Sequence, residues 1–287
     1  MPVITNYHVT DPHNIGDLLS SPLRYFEFPG HICQTKDIRT IDSENVEDSH
    51  AVIGGGGLLF KRFLKHIEAI NENASGKRIL WGAGQQSYGT DAKTLSQFDY
   101  RPYIANSDLI GIRDDRMAQT WVPCVSCMHP AFDQPRTAQH EFVVFSHKKF
   151  QLDFPRLPRM TNETTNLEEV LDFLGSGETI LTSSFHGAYW GTLLGRKVLA
   201  FPFSSKFFTL RHLPTLYPAQ RWSQVRWRLS VLGKVLHTAR HTGNKHTCET
   251  KSWRQYVTKC QTYPDSLEEC REQNRWFYQR VMGILSE

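Results

Sequence analysis

Apolar and polar positions fall into a repeating rhythm: a short apolar run, a polar or glycine-rich turn, then apolar residues at helical spacing. Residues 3–9 alternate and predict a first strand. It runs into His13-Asn14-Ile15-Gly16-Asp17-Leu18-Leu19, a loop passing into a helix. Residues 32–41 predict a weaker strand. His50-Ala51-Val52-Ile53 is a short apolar strand ending in Gly54-Gly55-Gly56-Gly57, and a basic amphipathic helix follows toward Ile70. Residues 77–84 repeat the theme, with Gln85, Gln86 and Ser87 at the same edge. Residues 108–112 form a further strand leading to Arg113-Asp114 and a short helix near residues 117–120.

A polar, proline-bearing stretch at residues 133–140 reads as a linker, after which a second series begins. Residues 141–145 make a strand with Ser146, His147 and Lys148 at its end, and Asn166 caps an amphipathic helix to Leu174. The apolar run 178–181 leads through Thr182-Ser183-Ser184-Phe185-His186-Gly187 into a helix carrying Tyr189, Trp190, Leu193 and Leu194, with Gly195 as its stop. Residues 197–203 deliver Ser204, Ser205 and Lys206 to the same rim. Beyond Leu210 the chain reads as aromatic, basic helix, and a final helix spans residues 266–285 after Pro264-Asp265-Ser266. Strands alternating with helices predict parallel sheets with helices on both faces. The expected fold is therefore α/β in two halves, an N-terminal domain at 1–136 and a C-terminal domain with the terminal helices at 137–287.

Composition narrows the class. The chain has 287 residues, 39% of them hydrophobic and 12% aromatic, enough to fill cores, so a disordered chain is excluded. A net charge of +4 is too small to argue for nucleic acid, and no nucleic-acid-binding motif accompanies the basic residues between Arg221 and Lys251. A solvated face or the binding of an acidic sugar are the readings for that segment. No apolar run approaches the roughly 18 residues of a membrane span, and no secretory leader is evident, so a cytoplasmic protein is expected. The six cysteines then read as reduced thiols. Cys124-Val125-Ser126-Cys127 lacks the second pair of a zinc site and the context of a redox helix, and no metal is expected.

The chemistry concentrates at strand ends. His186 stands at a strand-to-helix switch, facing the N–H groups of a helix's first turn, where open α/β sheets bind ligands. Asn14 and Asp17 admit two readings: turn chemistry, or a carboxylate in a ligand cleft acting as base or hydroxyl acceptor. The Gly54–Gly57 run allows close backbone approach and exposes N–H donors, but it is neither G-x-G-x-x-G nor a Walker loop. Arg113 can clamp an anion, or pair with Asp114 or Asp115.

Taken in order, Asn14-x-Gly16-Asp17, Gly54-Gly55-Gly56-Gly57-Leu58, Arg113-Asp114, Pro130-Ala131-Phe132 and Ser183-Ser184-Phe185-His186-Gly187 with Lys206 resemble the polysaccharide pyruvyl transferase family over about residues 3–210. The resemblance implies a fold similar to B-type glycosyltransferases, with two doubly wound, Rossmann-like domains facing across a cleft. It implies a reaction moving the enolpyruvyl group of phosphoenolpyruvate onto a sugar of a bacterial polysaccharide or cell-surface glycan as a ketal, with no cofactor. The acceptor would be a glycan or lipid-linked oligosaccharide, met at the inner face of the membrane by peripheral association. In that scheme His186 is the acid and Asp17 handles the acceptor hydroxyl. Gly55, Gly56, Gly57, Arg113, Ser183, Ser184 and Lys206 hold the donor, and Asn14, Gln85 and His147 meet the acceptor. Two positions depart from the family pattern: Ser184-Phe185-His186 stands for Arg-Leu-His, and His129 for the Asp before Pro-Ala-Phe. Lys206, Arg113, Arg211 or Lys148 are the cations available to replace the arginine. The rival readings are a B-type glycosyltransferase with a nucleotide-sugar donor and a non-catalytic glycan-binding relative.

Overall fold

The computed structural model describes residues 1–96, 99–115, 119–219, 221–231, 234–240 and 245–286. Six strands build a first, all-parallel sheet: β1 Val3–His8, β2 Ile32–Asp37, β3 His50–Gly54, β4 Arg78–Ala83, β5 Leu109–Ile112 and β6 Thr120–Trp121, in the order β2-β1-β3-β4-β5-β6. A second parallel sheet takes β7 His140–Ser146, β9 Arg159–Thr161, β10 Gly177–Thr182, β11 Lys197–Ala200 and β12 Thr215–Leu216, in the order β9-β7-β10-β11-β12. Both sheets thus start from an interior strand, add the next on one side and the rest on the other. In such sheets the reversal point opens a crevice at the carboxyl ends of the strands. The reversal falls between β1 and β3 in the first sheet and between β7 and β10 in the second. The two-residue strand β8 (Phe150–Gln151) joins β13 (Trp222–Gln224) and β16 (His246–Cys248) in a small mixed sheet, and β14 (Arg226–Val231) pairs with β15 (Lys234–Arg240) as a hairpin.

Seven α-helices are found among the described residues: α1 Ile15–Leu18, α2 Leu64–Asn73, α3 Arg101–Ile104, α4 Leu167–Gly175, α5 Phe185–Leu193, α6 Arg254–Val257 and α7 Ser266–Leu285. The period of two in the strands sorts side chains between the faces of each sheet. In the first, Ala51, Ile53 and Leu80 pack with Leu64, Ile67 and Ile70 of α2, while Val52, Ile79 and Trp81 pack with Phe277 and Val281 of α7. In the second, Val143, Phe145 and Ile180 meet α4 and α5, and Val144, Leu181 and Leu199 meet Tyr217 and the α6 region. Every residue of α5 is buried, because this helix lies between its own sheet and the segment carrying Cys124 and Cys127.

The aromatic, basic stretch beyond Leu210 is not the helix its composition predicts. The described residues there form β12 to β16, with only α6 helical. Arg226-Trp227-Arg228-Leu229-Ser230-Val231 alternates with period two, the strand pattern, and this outweighs the helical reading. The helix expected near residues 117–120 falls partly outside the described residues, and Thr120–Trp121 is strand. The cap of α4 is as expected, Asn166 accepting a hydrogen bond from the Glu169 N–H at 3.3 Å. No helix among the described residues is long and apolar enough to cross a membrane.

Candidate active site

Residues that follow the strands of both sheets line one cleft, enclosing about 940 Å³ of empty space with its open mouth included. Asp11, Asn14 and Asp17 come after β1, Gly57 and Phe60 after β3, Gln86 and Tyr88 after β4, and Arg113 after β5. Opposite them, His147, Lys148 and Lys149 follow β7, Ser184, Phe185 and His186 follow β10, and Phe203 and Lys206 follow β11. The loop 87–89 is hydrogen-bonded to 203–205: Ser205 N donates to Ser87 O at 2.8 Å, Ser87 N to Ser205 Oγ at 2.8 Å, and Gly89 N to Phe203 O at 2.9 Å. This junction fixes Tyr88 and Lys206 against each other's elements.

Ser184 caps α5, its Oγ accepting from the Gly187 N–H, and so fixes where the helix begins and where His186 points. His186 is 7% exposed. A Cβ on Gly16 would lie 1.9 Å from its Nδ1, so α1 and the imidazole touch only because residue 16 is glycine. Its Nε2 lies 3.6 Å from Cys124 Sγ, and the ring packs on Trp190 with centroids 4.9 Å apart. Burial, with Arg113 and Lys206 nearby, holds the imidazole well below its usual pKa, so it is neutral in the free protein.

The cations divide into paired and unpaired. Lys148 Nζ donates to Asp11 at 2.7 Å, and Arg211 pairs with Asp115 and Glu269 outside the cleft. Among the described residues Asp114 makes no hydrogen bond or ion pair to Arg113, although its charge acts on the guanidinium. Its carboxylate accepts from the Gln85 N–H at 2.6 Å and from the Thr209 hydroxyl. Arg113 is 5% exposed, its Nε and Nη1 are buried without a hydrogen-bond partner, and its guanidinium stacks 4.0 Å from the Phe185 ring centroid. Lys206 makes no ion pair among the described residues and rests near the rings of Phe203 and Phe185. Burial, then Arg113, bring its pKa down to about 8, against the pull of Asp17. Burial pushes the Asp17 carboxyl up, while Lys206 and Arg113 oppose the rise.

Asn14 joins the two series, donating to Asp17 Oδ2 at 2.6 Å and accepting from Asn162 Nδ2 at 2.8 Å. Gly56 adopts φ +79°, which favours glycine, and a Cβ there would meet Asp17 Oδ1 at 3.5 Å, so the glycine turn borders the carboxylate.

Of the residues singled out from sequence, Asn14, Asp17, Gly57, Arg113, His147, Ser184, His186 and Lys206 line the cleft. Gln85 does not. It is buried with its amide donating to Leu95 O, and Gln86 takes the cleft position instead. Ser183 also turns away, bridging the His147 N–H and Phe150 O and so holding the loop after β7. Gly55 faces Ser20, not the cleft. Sequence reasoning missed Arg39, Arg62, Lys149, Tyr88, Phe150 and Phe203 as lining residues. Tyr88, 55% exposed, carried a usable signal: an aromatic residue just beyond a strand end already marked by glycines.

A sequence model of the polysaccharide pyruvyl transferase family matches residues 4–205. The match takes in Asp17, the glycine turn, Arg113 and His186, and stops one residue short of Lys206. No curated protein and no solved structure matches. More than two thirds of the chain, including both sheet reversals and nearly the whole cleft, follows that one model, and the protein therefore belongs to the polysaccharide pyruvyl transferase family and is a transferase.

Proposed function

We propose that the protein transfers the enolpyruvyl carbons of phosphoenolpyruvate to two hydroxyls of a sugar in a bacterial polysaccharide or cell-surface glycan, forming a pyruvate ketal and releasing phosphate. The observation carrying this reading is the buried Arg113 guanidinium, with two donor nitrogens unpartnered in a cleft shared with the unpaired Lys206. A buried cation without an acceptor is costly unless a ligand supplies one. The cleft has six cationic side chains (Arg39, Arg62, Arg113, Lys148, Lys149, Lys206) against two carboxylates, Asp11 and Asp17, a balance suited to a donor carrying both phosphate and carboxylate. Arg113, stacked on Phe185, supplies the charge that the family arginine would bring at position 184.

In this mechanism His186 delivers a proton to the methylene carbon of the donor. The resulting cation at C2 is attacked by one hydroxyl, whose proton passes through Asp17 to the departing phosphate, and the second hydroxyl closes the ketal and returns its proton to His186. His186 is neutral in the free protein, so its proton has to arrive with the donor, whose negative charge offsets the repulsion from Arg113 and Lys206. Asp17, its carboxylate made more basic by burial, takes up an acceptor proton. Arg113 and Lys206 hold the phosphate and carboxylate. Tyr88, exposed at the cleft mouth with Phe60, Phe150 and Phe203 around it, offers a flat apolar face for the acceptor sugar. A lipid-linked acceptor at the inner membrane face belongs to the same proposal, the sequence between Arg221 and Lys251 being rich in basic residues.

Phosphate release from phosphoenolpyruvate in the presence of acceptor glycans tests the reading. Release that needs both acceptor and His186 is expected. A rise in melting temperature with UDP or GDP but none with phosphoenolpyruvate would replace it with a nucleotide-sugar transferase.

A further inference from the structure

The cysteine behind His186 has a directed hydrogen-bond chain leading to it. Trp190 Nε1, which can only donate, lies 3.0 Å from Ser126 Oγ. Ser126 is fully buried, and the remaining side-chain atom bonded to its hydroxyl is Cys124 Sγ at 3.3 Å. The hydroxyl proton therefore goes to that sulfur, and the Cys124 S–H is left for the next atom along, His186 Nε2 at 3.6 Å. Burial raises the pKa of the Cys124 thiol, so it keeps the proton it would donate. On the far side of the ring, Nδ1 has no hydrogen-bond partner among the described residues. It lies against Gly16, which stands in the chain between Asn14 and Asp17, two residues that line the cleft.

We propose that Cys124 is a positioning residue whose S–H, oriented through Trp190 and Ser126, donates to His186 Nε2 and fixes the imidazole as the Nδ1–H tautomer. The nitrogen that exchanges protons with the cleft is then Nδ1. The other cysteine of the C-x-x-C, Cys127, is unpaired and turned to the Asn274 side-chain amide at 3.5 Å, so the two cysteines of the motif contact different neighbours. The catalytic consequence rests on the transferase reading above; the tautomer does not.

Nitrogen-15 NMR of histidine-labelled protein reads the tautomer directly, with the His186 signal identified as the one missing from a His186→Asn protein. The wild type is expected to show Nε2 unprotonated and Nδ1 protonated in the substrate-free state. Cys124→Ser, which keeps a donor, retains that signature. Cys124→Ala gives a mixture of tautomers and a kcat lowered roughly ten-fold, with KM for phosphoenolpyruvate nearly unchanged. A protonated Nε2 in the wild type overturns the inference, as does an unaltered His186 signal in Cys124→Ala. Should the alanine protein fail to fold, the wild-type signal alone decides. A wild type with the expected tautomer but no phosphate release would instead sink the transferase mechanism.

Discussion

A methyl group on Gly16 would overlap the His186 imidazole while leaving the backbone comfortable, since α1 is right-handed helix and alanine is the better helix former. Gly16→Ala is therefore expected to fold, to displace the ring by about 1 Å, and to lose about 100-fold in kcat. Near-wild-type turnover would show that the imidazole's place is immaterial. Lys206 makes a prediction about pH. Ordinarily protonated up to 10.5, in the folded protein it releases its proton as pH rises through about 8. Between those values the unfolded chain binds more protons, so the free protein becomes more stable with rising pH across that window. Donor affinity moves the opposite way, falling by up to about ten-fold per pH unit above the folded-state pKa, as the cation facing Arg113, Asp17 and His186 is lost. Calorimetric titration of phosphoenolpyruvate into wild type and Lys206→Met checks this, and the variant should lose that slope. At this scale the sequence showed which residue types stood at strand ends, and His186, Asp17 and Arg113 all line the cleft. The sequence did not show which of Gln85 and Gln86 faces the cleft, because that is set beyond the end of β4 by the bridge of Gln85 to Leu59 and its bond to Leu95 O. Nor did it show that Asp114 makes no hydrogen bond to Arg113 and acts on it only through its charge, because the donors it accepts come from Gln85 and from Thr209, far along the chain.

Between elements, the decisive contact is the junction of loop 87–89 with loop 203–205, which sets Tyr88 across the cleft mouth on the rings of Phe150 and Phe203, 6.2 and 6.3 Å away. The junction is held by main-chain bonds and the Ser205 hydroxyl, so the Tyr88 side chain can be removed without opening it. Tyr88→Ala should raise KM for the acceptor glycan several-fold, leave phosphoenolpyruvate binding unchanged, and barely move the melting temperature. An unchanged acceptor KM would exclude the ring as the sugar platform. The strands and helices that make this geometry were legible wherever a run was long enough to carry a period, as in β1, β3, β4, β7, β10 and α4. Two- and three-residue strands such as β8, β9 and β12 carry no period of their own and exist only because a neighbour's edge accepts them. After Leu210 the period-two alternation, not the aromatic and basic composition, matches the strands that form.

Across the whole molecule, the last helix returns to the first sheet. Phe277 and Val281 of α7 are fully buried with Ile4, Val52, Ile79, Trp81 and Val122, and Trp81 Nε1 donates to Asn274 Oδ1 at 3.0 Å. Arg271 reaches Cys127 O at 3.0 Å and the Asp133 carboxylate at 2.6 Å. Without α7, one face of the first sheet would meet water. Each large side chain so exposed forfeits about 1.5–3 kcal/mol, and a handful of them equals the 5–15 kcal/mol by which a typical domain is stable. On this packing, a cut at residue 136 is expected to separate two series of strands but not two self-sufficient folding units. A fragment of residues 1–136 is expected to be unfolded or insoluble alone and to gain structure when residues 137–287 are co-expressed. The intact chain should melt in one transition, and Asn274→Ala, leaving the buried indole N–H unmatched, should lower stability by about 1–3 kcal/mol. A well-dispersed NMR spectrum from the isolated fragment would show that the first sheet closes its own core. In that case the cleft would be an opening between two independent bodies, and the fixed contact of Gly16 with His186 would have to arise on closure.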